Sequence, residues 1–266
     1  MLICQTVLGY GHESLEILKT SGGVRVTIRR IGGGFREADG EAGRGRRRPP
    51  LDRDLVVRAA LDVLDEVGLD GLTMRRLADK LGVKAASLYW HVRNKEELLG
   101  LLADAIAAGV REPRPGMSWR EQLETLAWEN RRVLLAHRDA ARILAGTPPA
   151  GANRLRLAEI TLRALLKAGL DHRDATYAAI LLTDYATGFV AEEAMLANAA
   201  QSQGVSMDEL LAGIRAQFKA LPAEEYPSMV TLADDLTDPD ADPRFRFGLE
   251  VLLDGLERRL AKTGRS

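Results

Sequence analysis

Apolar residues recur at helical spacing through most of the chain after residue 51. Asp52 has the side chain of a helix N-cap and Gly68 suits the position just past a helix end, so we predict a first helix between them. Its apolar positions are Val56, Ala59, Ala60, Val63, Leu64 and Val67. By the same signals, further helices are predicted at 73–82, 84–91, 94–108, 118–136, 139–146, 153–168, 173–199, 206–221, 227–235 and 243–262.

The fold class that follows is all-α, because alternating apolar β-branched residues are nearly absent after residue 51. Before that point, Val24–Ile28 alternates enough for a short strand, but glycines interrupt the surrounding residues, so we expect a mostly disordered segment ending in the basic run Arg44–Arg48. We predict three parts: an extension over 1–50, a small helical head over 51–98 and a helical body over 99–262.

Composition excludes several classes of protein. The chain has 266 residues, of which 46% are hydrophobic and 28% charged, as is usual for a globular protein in water. Its single cysteine, Cys4, excludes a disulfide framework and a cysteine-based zinc site, and it suits a reducing cytosol. No apolar run is long enough to span a bilayer and the first residues do not resemble a signal peptide, so we expect a cytoplasmic protein without membrane contact.

Charge is distributed unevenly along the chain. Residues 44–95 contain 12 Lys and Arg against 7 Asp and Glu, whereas residues 96–266 contain 20 against 26. A basic head on an acidic body suits binding to DNA phosphates, although chance variation of surface charge would look the same.

The spacing from Thr73 to His91 is that of a helix-turn-helix, whose second helix enters the DNA major groove. Gly82 allows the positive φ of the turn, and Val83 and Leu88 can pack back on the preceding helix. The residues left for the groove or its phosphates are Lys84, Ala85, Ser87, Tyr89, Trp90 and His91. The alternative for Tyr89 and Trp90 is that either ring seals the contact with the first helix.

Three stretches of sequence resemble the TetR (tetracycline-repressor) family. They are the run Leu72–Val83, the run Leu88-Tyr89-Trp90-His91-Val92-Arg93-Asn94-Lys95, and Phe247-Gly248-Leu249-Glu250 with Gly255-Leu256-Glu257 in the last helix. The resemblance spans residues 52–262. It implies a homodimer that binds double-stranded operator DNA through its head and is released when a small-molecule effector binds the body.

The resemblance also implies roles for individual head residues. Ser87, Tyr89, His91 and Lys95 would hold phosphates, the last of them at a helix N-terminus. Arg75 would touch a base or a phosphate. Base reading would fall to Arg75, Lys84, Ala85, Ala86 and Trp90.

Two long apolar helices in the body suit a four-helix bundle shared by two protomers, although they could also pack within one protomer. One contains Ala178, Leu181, Leu182, Tyr185 and Phe189; the other contains Phe247, Leu249, Val251, Leu252, Leu256 and Leu260.

The residues expected at the effector site differ from those of the tetracycline repressor. The histidines and the asparagine with which the tetracycline repressor holds a magnesium–drug chelate have no counterpart in this chain, and only its glutamate is matched, at Glu192. We therefore expect neither a metal nor another cofactor. An apolar pocket is predicted from Trp119, Leu123, Leu126, Trp128, Asn130, Leu144 and Tyr185, and core packing is the alternative role for each.

The rival interpretation is a helical enzyme or a protein-interaction adaptor that does not bind DNA. An enzyme would need paired carboxylates or a His–acid pair on one face, and the sequence places none there. The aspartates between 234 and 242 do not follow a calcium-loop pattern, because Pro239 interrupts them and no glycine stands at the turn position. We therefore predict a ligand-responsive transcriptional repressor that is not an enzyme.

Overall fold

The computed structural model describes residues 13–20, 23–30 and 51–263. Ahead of residue 50, strands β1 (Glu13–Thr20) and β2 (Gly23–Arg30) pair antiparallel, with Leu15 opposite Ile28 and Ile17 opposite Val26. The described residues of the predicted extension form this hairpin, and the rest of 1–50 lies outside the described residues. The alternation noted at Val24–Ile28 lies in β2, and a second alternating segment provides its partner strand. The basic run Arg44–Arg48 lies outside the described residues.

Residues 51–263 are helical, which confirms the predicted all-α class for the head and the body. The head contains α1 (Arg53–Gly71), α2 (Met74–Leu81), α3 (Ala85–Leu88) and the start of α4 (Lys95–Ala108), which continues into the body. Each predicted N-cap of α1, α2 and α4 accepts a backbone hydrogen bond: Asp52 from Leu55 (2.7 Å), Thr73 from Arg76 (3.2 Å) and Asn94 from Glu97 (2.7 Å).

Two helix ends in the head differ from the prediction. Gly68 has φ 73°, as expected for a helix end, but the chain makes another helical turn beyond it to Gly71. Helix α3 ends at Leu88 and not at His91, and the N–H groups of His91 and Val92 both donate to the Leu88 carbonyl (2.9 Å each) in the turn that follows.

The body follows the predicted helices closely. Helix α8 continues to Gln203, where Gly204 (φ 68°) ends it, and the predicted 227–235 helix is two short ones. The body helices are α5 (Trp119–Leu135), α6 (Ala140–Ala145), α7 (Ala152–Ala168), α8 (His172–Gln203), α9 (Met207–Lys219), α10 (Pro227–Thr231), α11 (Ala233–Leu236) and α12 (Ala241–Thr263).

Three clusters of buried apolar side chains hold these helices together. The head cluster joins α1–α4 and includes Ile143 of α6. The aromatic cluster joins α5, α7, α8 and α12 around Phe245, and the central cluster joins α4–α8 around Ile106. Helix α4 therefore contributes to the core of the head and to that of the body.

None of the helices in the described residues is long and apolar enough to cross a membrane. The same residues contain no group of three or more His, Cys, Asp and Glu side chains placed to hold a metal ion.

Candidate DNA-binding face and sensing body

The turn between α2 and α3 is built as the helix-turn-helix spacing predicts. Gly82 adopts φ 64° and its N–H donates to the Asp79 carbonyl (3.1 Å), while the Val83 N–H donates to the Ala78 carbonyl (3.0 Å). A left-handed residue is needed here to reverse the chain after one short helix, which is why glycine fits.

The apolar face of this motif is fully occupied by the head cluster. Leu77, Leu88 and Val92 are completely buried. Trp90, in contrast, is 89% exposed and Tyr89 is 51% exposed, so neither ring seals the contact with α1. Two adjacent aromatic side chains are therefore left open to solvent at the end of α3.

The other residues predicted to contact DNA are largely open to solvent. Arg75, Lys84, Ala85 and Ala86 are exposed, and Ser87 and His91 are partly buried. Lys95 is exposed at the start of α4, and its Nζ donates to the Leu69 carbonyl (3.2 Å). Within the described part of the chain the Arg75 side chain makes no hydrogen bond or ion pair, which leaves its guanidinium available.

Hydrogen bonds that were not predicted from the sequence form a polar joint between α1 of the head and the start of α6 in the body. Asp139 is buried, adopts φ 58° and accepts a hydrogen bond from the Leu69 N–H (2.8 Å). A Cβ on Gly68 would lie 2.9 Å from the Asp139 carboxylate, so only glycine allows this close approach. Arg142 donates to Asp70 (3.2 Å), which lowers the pKa of Asp70. Asp65 on α1 also accepts a hydrogen bond from the Arg138 N–H (3.0 Å), so α1 is hydrogen-bonded to the body through Asp65, Leu69 and Asp70.

The residues predicted for the effector pocket do not lie in one cluster. Leu123 is buried in the aromatic cluster, with Trp119 and Tyr185 packed against it, whereas Leu126 belongs to the central cluster with Leu144 at its edge. Asn130 is partly buried. Glu192 is exposed, and it accepts a hydrogen bond from the Arg244 guanidinium (2.6 Å).

Tyr185 is engaged with helix α12. Its hydroxyl donates to the Phe245 carbonyl (2.7 Å), its ring stacks on that of Phe245 with centroids 5.3 Å apart, and it lies directly over Gly248. Burial raises the pKa of this phenol. The ring therefore acts as packing between α8 and α12 in this conformation.

A buried arginine stands at the centre of the aromatic cluster. Arg131 is 6% exposed, and its guanidinium lies over the rings of Trp128, Phe189 and Phe245 at 5.1–5.5 Å. It donates twice to Glu193 (2.9 and 2.7 Å) and once to Asp242 (2.6 Å). The hydrogen bonds to Glu193 raise the pKa of Arg131 further. Arg131 was not predicted from the sequence, although it occupies an apolar-face position of α5 together with Leu123, Ala127 and Leu134.

The concave surfaces of the described part of the body include a cavity and a groove. A cavity of about 190 Å³ between α6 and α8 is lined by Asp139, Ala141, Arg142, Ala191, Ala194, Met195 and Asn198. A more open groove of about 570 Å³ runs between α7 and α8, past Leu162, Leu166 and His172. Neither contains the residues predicted for the effector.

Helices α8 and α12 each leave an apolar stripe uncovered. Tyr177, Ile180 and Leu181 on α8 are 62, 54 and 49% exposed, and Phe247 and Val251 on α12 are 70 and 54% exposed. Residues at i, i+3 and i+4 on α8 and at i and i+4 on α12 lie on one side of a helix, so each stripe is continuous.

Comparison with known proteins gives consistent matches over both parts of the chain. Residues 56–102 match the family described as bacterial regulatory proteins, tetR family, and residues 112–260 match that described as tetracyclin repressor-like, C-terminal domain. The tetracycline repressor protein class A from transposon 1721 of Escherichia coli is 39% identical over 212 residues, covering 79% of this chain and 92% of that protein.

Solved structures agree with the sequence matches. The Streptomyces coelicolor TetR family protein ActR, in complex with actinorhodin, is 39% identical with a TM-score of 0.68, covering 78% of this chain and 95% of that one. A TetR variant from Acinetobacter baumannii AYE, in complex with minocycline, is 34% identical with a TM-score of 0.58, covering 78% and 97%.

Proposed function

Because this chain belongs to the TetR family and is a ligand-responsive DNA-binding repressor, we propose that it binds a palindromic operator as a homodimer and that a small-molecule effector releases it. The observation that carries this proposal is the exposed aromatic and basic face around Trp90, on a helix-turn-helix whose apolar face is already buried. We propose a cytoplasmic location, because a regulatory protein of this bacterial family acts on DNA. It acts by binding and not by catalysis.

On the DNA-binding face, we propose that the base edges are contacted by Arg75, Lys84, Ala85, Ala86 and Trp90. Arginine and lysine donate to guanine, and the small apolar side chains can contact thymine methyl groups. Ser87, Tyr89, His91 and Lys95 hold phosphates, which fix the register of the head on the duplex. The Lys95 ammonium exchanges its hydrogen bond to the Leu69 carbonyl for a phosphate oxygen.

The second copy of the chain covers the apolar stripes of α8 and α12. Two heads are needed because one helix-turn-helix reads too few base pairs, and a two-fold dimer presents them to two half-sites. Gly188 on α8 and Gly255 on α12 support this assignment, since no atom lies within 4 Å of a Cβ built at either position. Small residues on an exposed apolar stripe allow a partner helix to approach closely.

The effector enters the body between α5, α6 and α8, and we propose an aromatic ligand bound without a metal. The relatives with bound actinorhodin and minocycline support a sizeable organic ligand. The body contains the rings of Trp119, Trp128 and Tyr185, which can stack on an aromatic ligand. The candidate contacts remain Trp119, Leu123, Leu126, Asn130, Leu144, Tyr185 and Glu192. Since Tyr185 now packs on Phe245, binding of the effector would exchange that contact for one with the ligand.

Fluorescence anisotropy with DNA fragments flanking the gene tests the DNA-binding proposal. Wild-type binding is expected to be selective for a palindrome and to weaken steeply with salt. Trp90→Ala should lower operator affinity by about 1–3 kcal/mol and leave non-specific binding unchanged. Lys95→Ala should weaken all sequences alike and reduce the salt slope by about one. Tyr226→Ala, at an exposed aromatic of the body, is the matched control.

Failure to bind any fragment at any salt concentration would favour an adaptor or an enzyme. Titration of the operator complex with minocycline and with actinorhodin then tests release by an effector. Dissociation of the DNA by either compound supports an aromatic effector, and tight binding of either without DNA release contradicts the coupling between body and head.

A further inference from the structure

Helix α4 passes from the core of the head into the core of the body. Its first half places Leu98 and Leu102 in the head cluster, and its second half places Ile106 in the central cluster, with Val110 just beyond it. Asp104 lies between these two sets. Any side chain that fixes α4 at this point also fixes the direction in which the helix carries the head.

The Asp104 carboxylate closes the N-terminus of α7. It accepts hydrogen bonds from the backbone N–H groups of Asn153 (2.9 Å) and Arg154 (3.0 Å) and from the Asn153 side-chain amide (3.0 Å). The first N–H groups of a helix have no partner within the helix, and its N-terminus attracts negative charge. The N-cap residue of α7 is Gly151, which has no side chain to serve as a cap. The cap is therefore provided by Asp104 of α4, which lies 49 residues before Asn153 in the sequence.

The backbone at Gly151 is shaped to admit this carboxylate. Gly151 adopts φ 100°, and a Cβ there would lie 2.4 Å from the Asp104 carboxyl carbon. The Arg154 guanidinium donates to the Thr147 hydroxyl (3.0 Å) and to the Pro148 carbonyl (2.8 Å), which ties the end of α6 to the start of α7. The end of α6, the first turn of α7 and the middle of α4 thus form one hydrogen-bonded unit.

We propose that Asp104 is a positioning residue for operator binding, because it fixes the head-bearing helix to the body. The inference rests on the proposed function, in which two heads must be spaced for successive major grooves about 34–36 Å apart. Without the Asp104 cap, α4 keeps its apolar packing and the head keeps its joint at Asp139. The head then rotates relative to the body about its hydrogen bonds at Asp139. As a result, it spends a smaller fraction of time in the orientation that fits the operator.

Distances between spin labels within one protomer test this directly. Labels are attached at Asp79→Cys in the head and Glu159→Cys on α7, in a Cys4→Ser background, and labelled protein is diluted with unlabelled protein so that only one protomer of a dimer is observed. The wild-type distribution is expected to be narrow. Asp104→Ala should broaden it or shift its mean, and hydrogen exchange of the Asn153 and Arg154 amides should confirm that the cap is lost.

The matched control is Asp171→Ala, which removes the N-cap of α8 (its carboxylate accepts from Asp174 N–H at 2.8 Å) without touching α4. It should leave the head–body distance as in wild type. Asp104→Asn keeps the size and one acceptor oxygen, so it should give an intermediate width, and it replaces the alanine variant if that variant does not fold. If the head occupies the competent orientation a tenth of the time, operator Kd rises about tenfold.

An unchanged distance distribution in the Asp104 variants, with faster exchange at Asn153 and Arg154, would overturn the positioning role. That outcome is distinct from failure of the proposed function, because the distances require neither DNA nor effector. Wild-type protein that binds no operator refutes the repressor proposal, whereas a broadened distance in Asp104→Ala supports the joint in either case.

Discussion

The close approach of α8 and α12 at Gly248 can be tested with a single methyl group. Propensity alone predicts that Gly248→Ala stabilises helix α12 by about 1 kcal/mol. The structure predicts the opposite, because the new Cβ would lie 2.3 Å from the Tyr185 hydroxyl oxygen and 2.7 Å from its Cζ. Tyr185 must move, which disrupts its hydrogen bond to Phe245 and its stacking on that ring.

The expected size follows from these opposing contributions. Overpacking costs about 1–3 kcal/mol and the lost hydrogen bond about 1 kcal/mol, against a gain of about 1 kcal/mol in helix propensity. Gly248→Ala should therefore lower the free energy of unfolding by about 1–3 kcal/mol. Urea denaturation at fixed protomer concentration measures it, since dimer stability depends on concentration.

Two further variants make the test specific. Gly213→Ala lies in the middle of α9, where the added methyl group would have no atom within 4 Å, so it should stabilise the protein by up to about 1 kcal/mol. Tyr185→Phe removes the nearest atom, so Gly248→Ala should cost less in that background. If Gly248→Ala stabilises the protein as Gly213→Ala does, the contact between Tyr185 and Gly248 is refuted.

The remaining predictions concern acid stability and assembly. Hydrogen bonds from Arg132 and Arg111 hold the pKa of Glu129 at about 2, so the stability it provides is present above its usual pKa and is lost as the pH falls from about 4.5 toward 2. Glu129→Gln should therefore cost about 1–3 kcal/mol in urea unfolding at pH 7 and progressively less toward pH 3; a difference independent of pH would contradict it. Phe247→Arg should give monomers in sedimentation at micromolar concentration, because it places a charge on the proposed dimer surface. The control Leu232→Arg should sediment as wild type. A Phe247→Arg protein that remains dimeric would exclude this surface as the dimer interface.

The order of the helices and the helix-turn-helix are local properties, so the sequence predicted them well. Asp52, Thr73 and Asn94 cap helices by bonding a backbone N–H three residues ahead. Apolar periodicity then shows which face of each helix is buried. The end of α3 departs from this pattern. The helix stops at Leu88, where the His91 and Val92 N–H groups both donate to the Leu88 carbonyl, although no glycine or proline marks that position. In the extension, the alternation at Val24–Ile28 was visible in the sequence, but the segment that pairs with it, Glu13–Thr20, was not predicted.

The polar contacts that join the helices depend on residues far apart in the chain, and only the tertiary structure decided them. Asp104 meets Asn153 across 49 positions, and Arg131 meets Glu193 across 62. A sequence shows that a charged residue occupies an apolar face, as Arg131 does on α5, but not which carboxylate faces it. Tyr185 is a second example. Its aromatic ring led us to predict a pocket contact, whereas in the fold it packs over Gly248. Helix periodicity acts over one or two turns, whereas a buried polar group is satisfied by whichever partner the packing of distant helices brings within hydrogen-bond distance.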